Sequence, residues 1–522
     1  MSYHYHARKA TMINSISKWV LIKLLIVITV SGLFFSGCVP SLRDTDSTPK
    51  YVFLFIGDGM GQSQITAAEI YAHSIKSREI GQERLSFSGF PYLGMMTTYS
   101  SNSYFTDSAA AGTAMASGYK TRNAKININE DETLFYKTLT EAVQSSGRKT
   151  GIISSVSLDH ATPACFYCRV PYRWQYYDIA AAMAESGIDF LGGGGLKYPT
   201  GVRGQHPDVR NIAQEKGYAL ITTLEAFHDL SPGSGKVWAF NPNLTRKSAL
   251  PYEIDRPEKS LTLEDFTRKA ISFLDNPSGF FIVAEGGKID WACHDNDAAS
   301  AVHETLAFSN AVRAAVEFYH EHPNETLIVV TADHETGGMM LGSKKAVSGM
   351  KMNLLSHQNM SLDQFEYQIL KPYLALTPEE DIKLEDLYPD IQEKFGLIRL
   401  SGAQREKLRL EAESGDTGAQ EKLDLALTPM EWRELETALA DPAASALGFA
   451  AVKILNEKAG ISWGSYSHTA LPVPVFAIGA GAERFQGSYD NTDIAKKLFD
   501  VMNLSFPKPF AYEKNPRRAA AN

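Results

Sequence analysis

The chain is 522 residues long, 44% of its residues are hydrophobic, and its formal net charge is −9. A chain of this length and composition buries one large hydrophobic core and has room for an appended unit. The acidic balance, together with the lack of any basic run or basic–aromatic patch in the sequence, argues against nucleic acid as a partner.

The N-terminus predicts export. Residues 24–35 form an apolar run that follows basic residues and is too short to span a bilayer, which is typical of a signal peptide. The run ends in Phe-Ser-Gly-Cys at positions 35–38, which resembles a bacterial lipobox. We therefore interpret residues 1–37 as a lipoprotein-type signal peptide, Cys38 as the lipidated residue that contacts a membrane, and residues 38–49 as a flexible tether. Plain secretion and an uncleaved anchor are the alternatives, and all three export the protein to the periplasm or cell envelope.

Three further cysteines follow in the exported part of the chain. In an oxidising compartment Cys165 and Cys168 are candidates for a disulfide that closes a very small ring, which leaves Cys293 as an odd thiol. A zinc site of the C-x-x-C type is disfavoured because no second pair of cysteines completes it. The sequence leaves both the paired and the reduced state of Cys165 and Cys168 open.

Short apolar runs alternate with helical stretches along the chain, which is typical of an α/β fold. The runs predict buried strands at Tyr51–Ile56, Lys149–Val156, Ile188–Leu191, Phe280–Ala284, Thr326–Thr331 and Val473–Ile478. Apolar residues spaced three and four apart predict a long helix over Asp297–His320.

Residues 342–460 differ from the rest in composition. They are rich in Glu, Lys, Leu and Ala, and they contain two T-P-x-E sequences, which begin at Thr377 and Thr428. Each predicts a capping box with proline at the first helical position. We interpret this segment as a mainly helical insertion that divides an α/β core into residues 50–341 and 461–507, with a loose tail at 508–522.

A serine opens a run of small residues in the sequence TDSAAAGTA at positions 106–114. Thr106 and Asp107 stand where a helix cap is expected, and the alanines that follow favour helix. Ser108 then lies at the positive end of a helix dipole, where backbone N–H groups meet an anion, and is a candidate nucleophile toward an anionic substrate. Taken alone, the stretch favours the alternative of an ordinary capped and buried helix.

Acidic residues directly follow three of the apolar runs. Asp58, Glu285 and Asp333 stand there, and His334 follows Asp333. The carboxyl ends of strands are where open α/β sheets bind ligands, and carboxylates gathered there repel one another unless a cation shares them. The pattern therefore predicts a metal site.

A second group of oxygen and nitrogen donors lies further along the chain. Asp290 and His294 are four residues apart, so a helix places them on one face, and His468 precedes the last predicted strand and supplies another imidazole. Carboxylate and imidazole ligands without cysteine suit Zn²⁺ and Mg²⁺.

At this point the sequence resembles the alkaline phosphatases. The resemblance rests on FIGDGMG at 55–61, TDSAAAGTA at 106–114, HATP at 160–163, EGGKIDWACH at 285–294, TADHE at 331–335 and SHT at 467–469. These motifs run in family order over residues 51–340 and 460–505. The resemblance implies a three-layer α/β/α sandwich around a mostly parallel sheet. It also implies hydrolysis of small phosphate monoesters through a phosphoserine intermediate, which releases inorganic phosphate and an alcohol.

Carried over residue by residue, the resemblance implies two Zn²⁺ and one Mg²⁺ per chain. The implied ligands are Asp290, His294 and His468 for the first zinc, Asp58, Asp333 and His334 for the second, and Asp58, Thr162 and Glu285 for magnesium. Ser108 matches the serine that is phosphorylated. Arg173 matches the arginine that binds phosphate through its planar fork, and Arg169 is a rival by position.

Two positions depart from one branch of the family. Some members have Asp where this chain has His160, and Lys where it has Trp291, and the pair resembles the His/Trp variant of other bacterial members. His160 is a candidate to bind phosphate, a water on magnesium, or the third metal itself, so the identity of that metal stays open. We predict that His160→Asp shifts the preference of the site toward magnesium.

Two other functions compete with phosphate monoester hydrolysis. One is a phosphodiesterase or related ester hydrolase of the same superfamily, which the serine nucleophile disfavours because diesterases usually have threonine. The other is a surface lipoprotein that binds metal or phosphate without turnover, which is disfavoured because every matched position is filled. The resemblance also leads us to expect a homodimer.

Overall fold

The apolar runs form the middle of a ten-stranded sheet in a computed structural model, which describes residues 48–511 except 234, 343–348, 442 and 444. The strand order is β15-β2-β14-β9-β1-β8-β4-β5-β7-β6. All neighbouring strands are parallel except at β14, which is antiparallel to both β2 and β9. The predicted mostly parallel α/β sheet is confirmed. The predicted signal peptide, Cys38 and most of the tether lie outside the described residues.

The strands have the following bounds: β1 Tyr51–Ile56, β2 Tyr92–Thr97, β3 Leu134–Phe135, β4 Lys149–Ser154, β5 Phe190–Gly193, β6 Tyr218–Ile221, β7 Lys236–Phe240, β8 Phe280–Glu285, β9 Thr326–Thr331, β10 Glu335–Thr336, β11 Met339–Leu341, β12 Ile461–Trp463, β13 His468–Thr469, β14 Val473–Gly479, β15 Gly487–Asp490 and β16 Phe510–Ala511.

The α-helices before the predicted insertion are Gln62–Ser74, Ser108–Ser117, Leu139–Ser145, Ala161–Ala164, Tyr176–Glu185, Val209–Glu215, Leu224–His228, Leu263–Leu274, Lys288–His294 and Ala298–Glu321. Those within it are Leu362–Phe365, Lys371–Leu376, Leu384–Phe395, Gly402–Glu413, Thr417–Leu425, Pro429–Leu439 and Ala446–Ala459, and the helix Thr492–Val501 follows it. Short 3-10 turns cover Glu253–Asp255, Met352–His357, Glu379–Asp381 and Ala482–Phe485, and Glu366–Leu370 is a π-helix.

Every residue of β1, β8 and β9 is buried. Because successive side chains of a strand point to opposite faces, helices must cover both faces of this central part of the sheet. That is the α/β/α layering implied by the family resemblance. The strands missed from the sequence, β2, β6, β7 and β15, lie toward the two ends of the sheet. There, β2 alternates buried and exposed residues and lacks an unbroken apolar run.

Where it is described, the segment 342–460 consists of helices, turns and loops, with one isolated parallel β-bridge between Ile398 and Ala426. Its T-P-x-E sequence at Thr428 forms the expected capping box, since Glu431 N donates to Thr428 Oγ1 at 3.2 Å and Thr428 N donates to Glu431 Oε2 at 2.8 Å. The prediction at Thr377 is wrong. Pro378 stays extended at ψ 143°, so it does not become the first residue of an α-helix, and only the short turn Glu379–Asp381 follows.

The predicted loose tail begins differently from the expectation. Phe510 and Ala511 pair antiparallel with Phe135 and Leu134, and the Phe510 and Phe135 rings pack edge to face. Regular structure therefore continues beyond Pro507. Of the helices that the structure describes, none combines the length and apolar character that crossing a membrane requires.

Candidate active site

The sheet brings the acidic residues predicted at strand ends to one edge. In the central order β4-β8-β1-β9, Ile56 is level with Glu285 of β8 and with Thr331 of β9. Asp58 lies two residues after Ile56, and Asp333 lies two residues after Thr331. The three carboxylates therefore lie side by side at the carboxyl ends of neighbouring parallel strands, where such sheets bind ligands.

Ser108 is the first residue of its helix and is buried. Asp107 caps the helix, since its carboxylate accepts a hydrogen bond from Ala110 N at 3.0 Å. Ser108 Oγ lies 3.4 Å from His334 Nε2. The predicted helix cap thus exists, and it holds the serine hydroxyl against the carboxylate–imidazole cluster.

Asp58, Asp333 and His334 form a first compact group. His334 Nε2 lies 3.6 Å from Asp58 Oδ1 and 3.3 Å from Asp333 Oδ2, and all three side chains are fully buried. The loop after β1 fixes the group, because Gly59 N donates to Asp333 Oδ1 at 3.1 Å. We call this trio the inner group.

Asp290, His294 and His468 form a second group, which we call the outer group. Asp290 Oδ1 lies 3.4 Å from His294 Nε2 and 3.6 Å from His468 Nε2, and the two Nε2 atoms are 3.1 Å apart. His294 Nδ1 lies 2.6 Å from the carbonyl oxygen of Tyr466, and His468 Nδ1 lies 2.7 Å from that of Thr106. A carbonyl only accepts, so both Nδ1 atoms carry the hydrogen and both Nε2 lone pairs face the group, as metal ligands require.

A third group surrounds the other side of Asp58. Ligand atoms of Asp58, Glu285 and His160 all lie within 4.8 Å of one another. Thr162 Oγ1 donates to Asp58 Oδ2 at 3.4 Å, so this predicted residue also reaches the group. The structure therefore places both His160 and the predicted threonine beside Asp58.

The charges of these groups are unbalanced without a cation. Burial raises the pKa of Glu285 and of Asp333 to about 7, and burial with the neighbouring Asp333 carboxylate raises the pKa of Asp58 well above its usual value. Burial lowers the pKa of His160 and His334 well below the usual range, so both imidazoles are neutral.

Several buried atoms of these groups have no hydrogen-bond partner. They are Asp58 Oδ1, Asp333 Oδ2, Glu285 Oε1 and His160 Nδ1. Buried polar atoms are normally paired, and buried carboxylates coordinate metals or pair with cations. Neutral imidazoles and carboxylates are the ligand forms that zinc and magnesium bind. The residues present therefore fit bound metal ions.

Arg173 points into this site, whereas Arg169 does not. Arg173 Nη1 donates to Asp107 Oδ2 at 3.0 Å, and Nη2 lies 3.5 Å from His160 Nε2. Arg169 instead donates from Nε to the Tyr136 carbonyl oxygen at 3.0 Å and pairs with Glu141. Of the two rivals, only Arg173 lies next to Ser108 and the third group.

The three cysteines that the structure describes take no part in the metal groups. Cys165, Cys168 and Cys293 are all buried thiols, with no disulfide between Cys165 and Cys168. Cys165 Sγ donates to the Ala109 carbonyl oxygen at 3.2 Å, and burial raises the pKa of the Cys293 thiol well above its usual value. They are packed thiols of the core.

Some residues of the site carried no sequence signal. Thr336 donates to Asp290 Oδ1 at 2.5 Å, and Ser154 donates to Glu285 Oε2. The carbonyl groups of Thr106 and Tyr466 orient two imidazoles. Any residue type supplies a backbone carbonyl, so these two give no sequence signal. Ser154 ends β4 but lies inside the predicted strand Lys149–Val156, so its position did not single it out.

A serine hydroxyl at a helix N-terminus, an arginine fork and buried groups of carboxylates and imidazoles together define a metal-dependent hydrolase that acts on phosphate esters. The family model for alkaline phosphatase matches residues 49–504. Alkaline phosphatase 3 of Bacillus subtilis is 31% identical over 503 residues, which cover 92% of this chain and 97% of that protein.

Solved structures agree with this match. The cold-active alkaline phosphatase of the psychrophile Shewanella sp. is 28% identical with a TM-score of 0.70, and the match covers 88% of this chain and 100% of that one. A mutant of TAB5 alkaline phosphatase, from an Antarctic bacterium, has a histidine replaced by aspartate and Mg bound in its M3 site. It is 26% identical with a TM-score of 0.57 over 88% of this chain and 99% of that one.

The chain belongs to the alkaline phosphatase family. It is a phosphoric monoester hydrolase whose activity depends on bound metal, and a phosphoserine mechanism is typical of its family.

Proposed function

We propose that Ser108 is the residue that becomes phosphorylated during hydrolysis of small phosphate monoesters. The observation that carries the proposal is the position of Ser108 Oγ, 3.4 Å from His334 Nε2 and at the N-terminus of the helix Ser108–Ser117. A phosphate there meets backbone N–H groups and the positive end of the helix dipole. A serine nucleophile also favours a monoesterase over a phosphodiesterase, which usually has threonine at this position.

We further propose two Zn²⁺ and one Mg²⁺ per chain. The outer group would hold the first zinc, the inner group the second, and Asp58, Thr162 and Glu285 the magnesium. The unpartnered carboxylate oxygens and the inward Nε2 atoms support this assignment. When bound, such ions stabilise the entering and leaving oxygens of an in-line phosphoryl displacement and lower the pKa of oxygens that bind them.

The chain's own residues perform the remaining work. Arg173, held by Asp107, would grip phosphate oxygens with its free N–H groups and keep the phosphorus in line with Ser108 Oγ. Ser108 Oγ gives its proton to water and forms a bond to phosphorus, while the bond from phosphorus to the alcohol oxygen breaks and that oxygen takes up a proton from water to leave as the alcohol. Water then attacks the phosphoserine, which releases inorganic phosphate and restores the serine.

His160 is proposed as a competing ligand of the third metal. Its neutral imidazole lies among Asp58 and Glu285, and its Nδ1 has no hydrogen-bond partner. A nitrogen ligand favours zinc over magnesium, which prefers oxygen. The TAB5 mutant, with aspartate in place of a histidine and Mg in its M3 site, supports the same direction of change.

The setting of the enzyme is also a proposal. Export is general among alkaline phosphatases, and we propose that this chain is exported to the periplasm or cell envelope and anchored there by lipid on Cys38. A homodimer is proposed from the family alone.

The test is phosphate release from a generic phosphomonoester at alkaline pH by the purified protein. EDTA should abolish the activity, and Zn²⁺ with Mg²⁺ should restore it. Ser108→Ala should abolish turnover, and the matched control is Ser117→Ala, because Ser117 is a buried serine at the other end of the same helix, bonded only to Thr113 O at 2.7 Å. Full activity in Ser108→Ala, or activity that survives EDTA, would refute the proposal.

A further inference from the structure

One buried hydroxyl touches both proposed zinc groups. Thr336 lies on β10 and is fully buried. Its Oγ1 donates to Asp290 Oδ1 of the outer group at 2.5 Å and lies 3.2 Å from His334 Nδ1 of the inner group. We infer that Thr336 is a positioning residue that orients one ligand of each zinc and couples the two groups through a single hydroxyl. The inference rests on the proposed function, since it concerns how the same two groups bind their metals.

The Thr336 hydroxyl has a single hydrogen, so it can donate to only one of its two partners and must accept from the other. A hydroxyl has one hydrogen and two acceptor lone pairs, and an ionised carboxylate only accepts. The shorter contact is to Asp290, so the hydroxyl hydrogen goes there, and the oxygen can only accept from His334 Nδ1. His334 Nδ1 therefore carries the imidazole hydrogen.

This tautomer leaves a free lone pair on His334 Nε2. That atom faces Asp58 at 3.6 Å, Asp333 at 3.3 Å and Ser108 Oγ at 3.4 Å. Without the Thr336 hydroxyl, the tautomer with its hydrogen on Nε2 would be the more stable one, because that hydrogen could be donated to a carboxylate. The hydroxyl thus stabilises the tautomer that binds metal over the one that pairs with Asp58 or Asp333.

The backbone around Thr336 fixes its hydroxyl between the two groups. Thr336 N donates to the Gly59 carbonyl oxygen at 3.1 Å, and Gln64 Nε2 donates to the Thr336 carbonyl oxygen at 3.0 Å. Thr336 is also paired with His468 in the antiparallel ladder of β10 and β13. The residue is therefore tied to the loop that carries Asp58 and to the strand that carries His468.

Gly59 leaves room for this hydroxyl. A Cβ at position 59 would lie 2.9 Å from Thr336 Oγ1 and 2.9 Å from Asp290 Cα, and Gly59 has a φ of +72°. Both the space and the backbone conformation favour glycine. The close approach of the Asp58 loop to Thr336 therefore depends on the absence of a side chain between them.

The experiment compares Thr336→Val, which keeps the shape and removes the hydroxyl, with Thr336→Ser, which keeps the hydroxyl. Zinc affinity is measured by competition with a chromophoric chelator, and kcat and KM are measured at saturating zinc. The control is Thr305→Val, because Thr305 is a buried threonine whose hydroxyl donates only to the Ala301 carbonyl oxygen at 2.8 Å.

Loss of a residue that orients metal ligands typically weakens metal affinity by about 10–100-fold. We expect a loss of that size in Thr336→Val, affinity within about threefold of wild type in Thr336→Ser, and no change in Thr305→Val. Wild-type affinity in Thr336→Val overturns the inference, and so does a loss in Thr336→Ser as large as in Thr336→Val. Should the valine variant not fold, the serine variant alone decides, since loss of zinc affinity there contradicts the role of the hydroxyl.

Failure of the inference can be told from failure of the proposed function. If wild-type protein neither binds zinc nor responds to EDTA, the proposed function fails. If wild type does both and Thr336→Val behaves identically, only the role of Thr336 is wrong.

Discussion

Replacing Arg173 by lysine tests how the site grips phosphate. One nitrogen of the guanidinium, Nη1, is held by Asp107 Oδ2 at 3.0 Å, while Nη2 faces His160 Nε2 at 3.5 Å. The two side chains of the pair are only 20% and 17% exposed, so water screens them weakly. Lysine has one nitrogen at its tip and cannot bond Asp107 and phosphate through separate N–H groups in a fixed fork. Arg173→Lys should therefore lose at least one hydrogen bond to phosphate.

The size of the effect follows from that lost bond. A hydrogen bond to a charged group contributes about 1.5–3 kcal/mol. With about 1.4 kcal/mol per factor of ten, the loss of about 2 kcal/mol lowers kcat/KM roughly 30-fold. The inhibition constant of inorganic phosphate should rise by a similar factor, because the product is held by the same fork. Both quantities are measured from steady-state phosphate release.

Arg169→Lys is the matched control. Arg169 is bonded to the Tyr136 carbonyl oxygen and to Glu141, away from Ser108, so its replacement should leave kcat/KM and phosphate inhibition unchanged. A fall in kcat/KM in Arg169→Lys together with normal kinetics in Arg173→Lys would reverse the assignment and refute the reasoning.

Three further predictions concern the metals and the predicted insertion. His160→Asp should raise the Mg²⁺ to Zn²⁺ ratio found by elemental analysis and make activity more dependent on added Mg²⁺, and unchanged metal content with unchanged activity would contradict the role of His160. In the chelated protein, Glu285 and Asp333 have pKa values of about 7 when folded, above their ordinary 4.5 and 3.8, so the folded state binds more protons than the unfolded state between about pH 4 and pH 7. The Tm of the chelated protein should therefore fall as pH rises through that window, and added metal should abolish this fall. A Tm that rises with pH in the chelated protein would contradict the prediction. Thr428→Ala should cost about 1 kcal/mol in urea unfolding through loss of the capping box, whereas Thr437→Ala in the same helix, whose hydroxyl caps nothing, should not; equal losses in both would argue against the cap.

The fold class and the carboxylate edge were predictable because they depend on local pattern. Unbroken apolar runs predict buried parallel strands, and the residue after each run must emerge at the same edge of the sheet. This reasoning reached Asp58, Glu285 and Asp333 from position alone. The assignment of each residue to a metal came from family resemblance and stays a prediction that the variants above can test.

The support behind the ligands could not be predicted, for a physical reason. Imidazoles of the outer group are oriented by the carbonyl groups of Thr106 and Tyr466, and any residue type supplies a carbonyl. Thr336 looks like an ordinary strand threonine in sequence, since β-branched residues favour strands for packing alone. Only the tertiary contact of its hydroxyl with Asp290 and His334 shows that it serves both groups.

The placement of His468 shows how the outer group tolerates a long segment between its ligands. The segment 342–460 separates His468 from Asp290 along the chain, yet β11 and β12 pair directly across it, with Leu341 level with Ile461. The next contact, between β10 and β13, sets His468 opposite Thr336. Because both ladders lie outside the segment, changes in its length or sequence need not move His468. The segment does touch the core elsewhere, since Gln358 Nε2 donates to Asp297, the cap of the helix that follows His294. Phe449 of the segment also packs edge to face on Tyr466, whose carbonyl oxygen accepts from His294 Nδ1. The influence of the segment on the site should therefore act through that helix and through Tyr466 on His294.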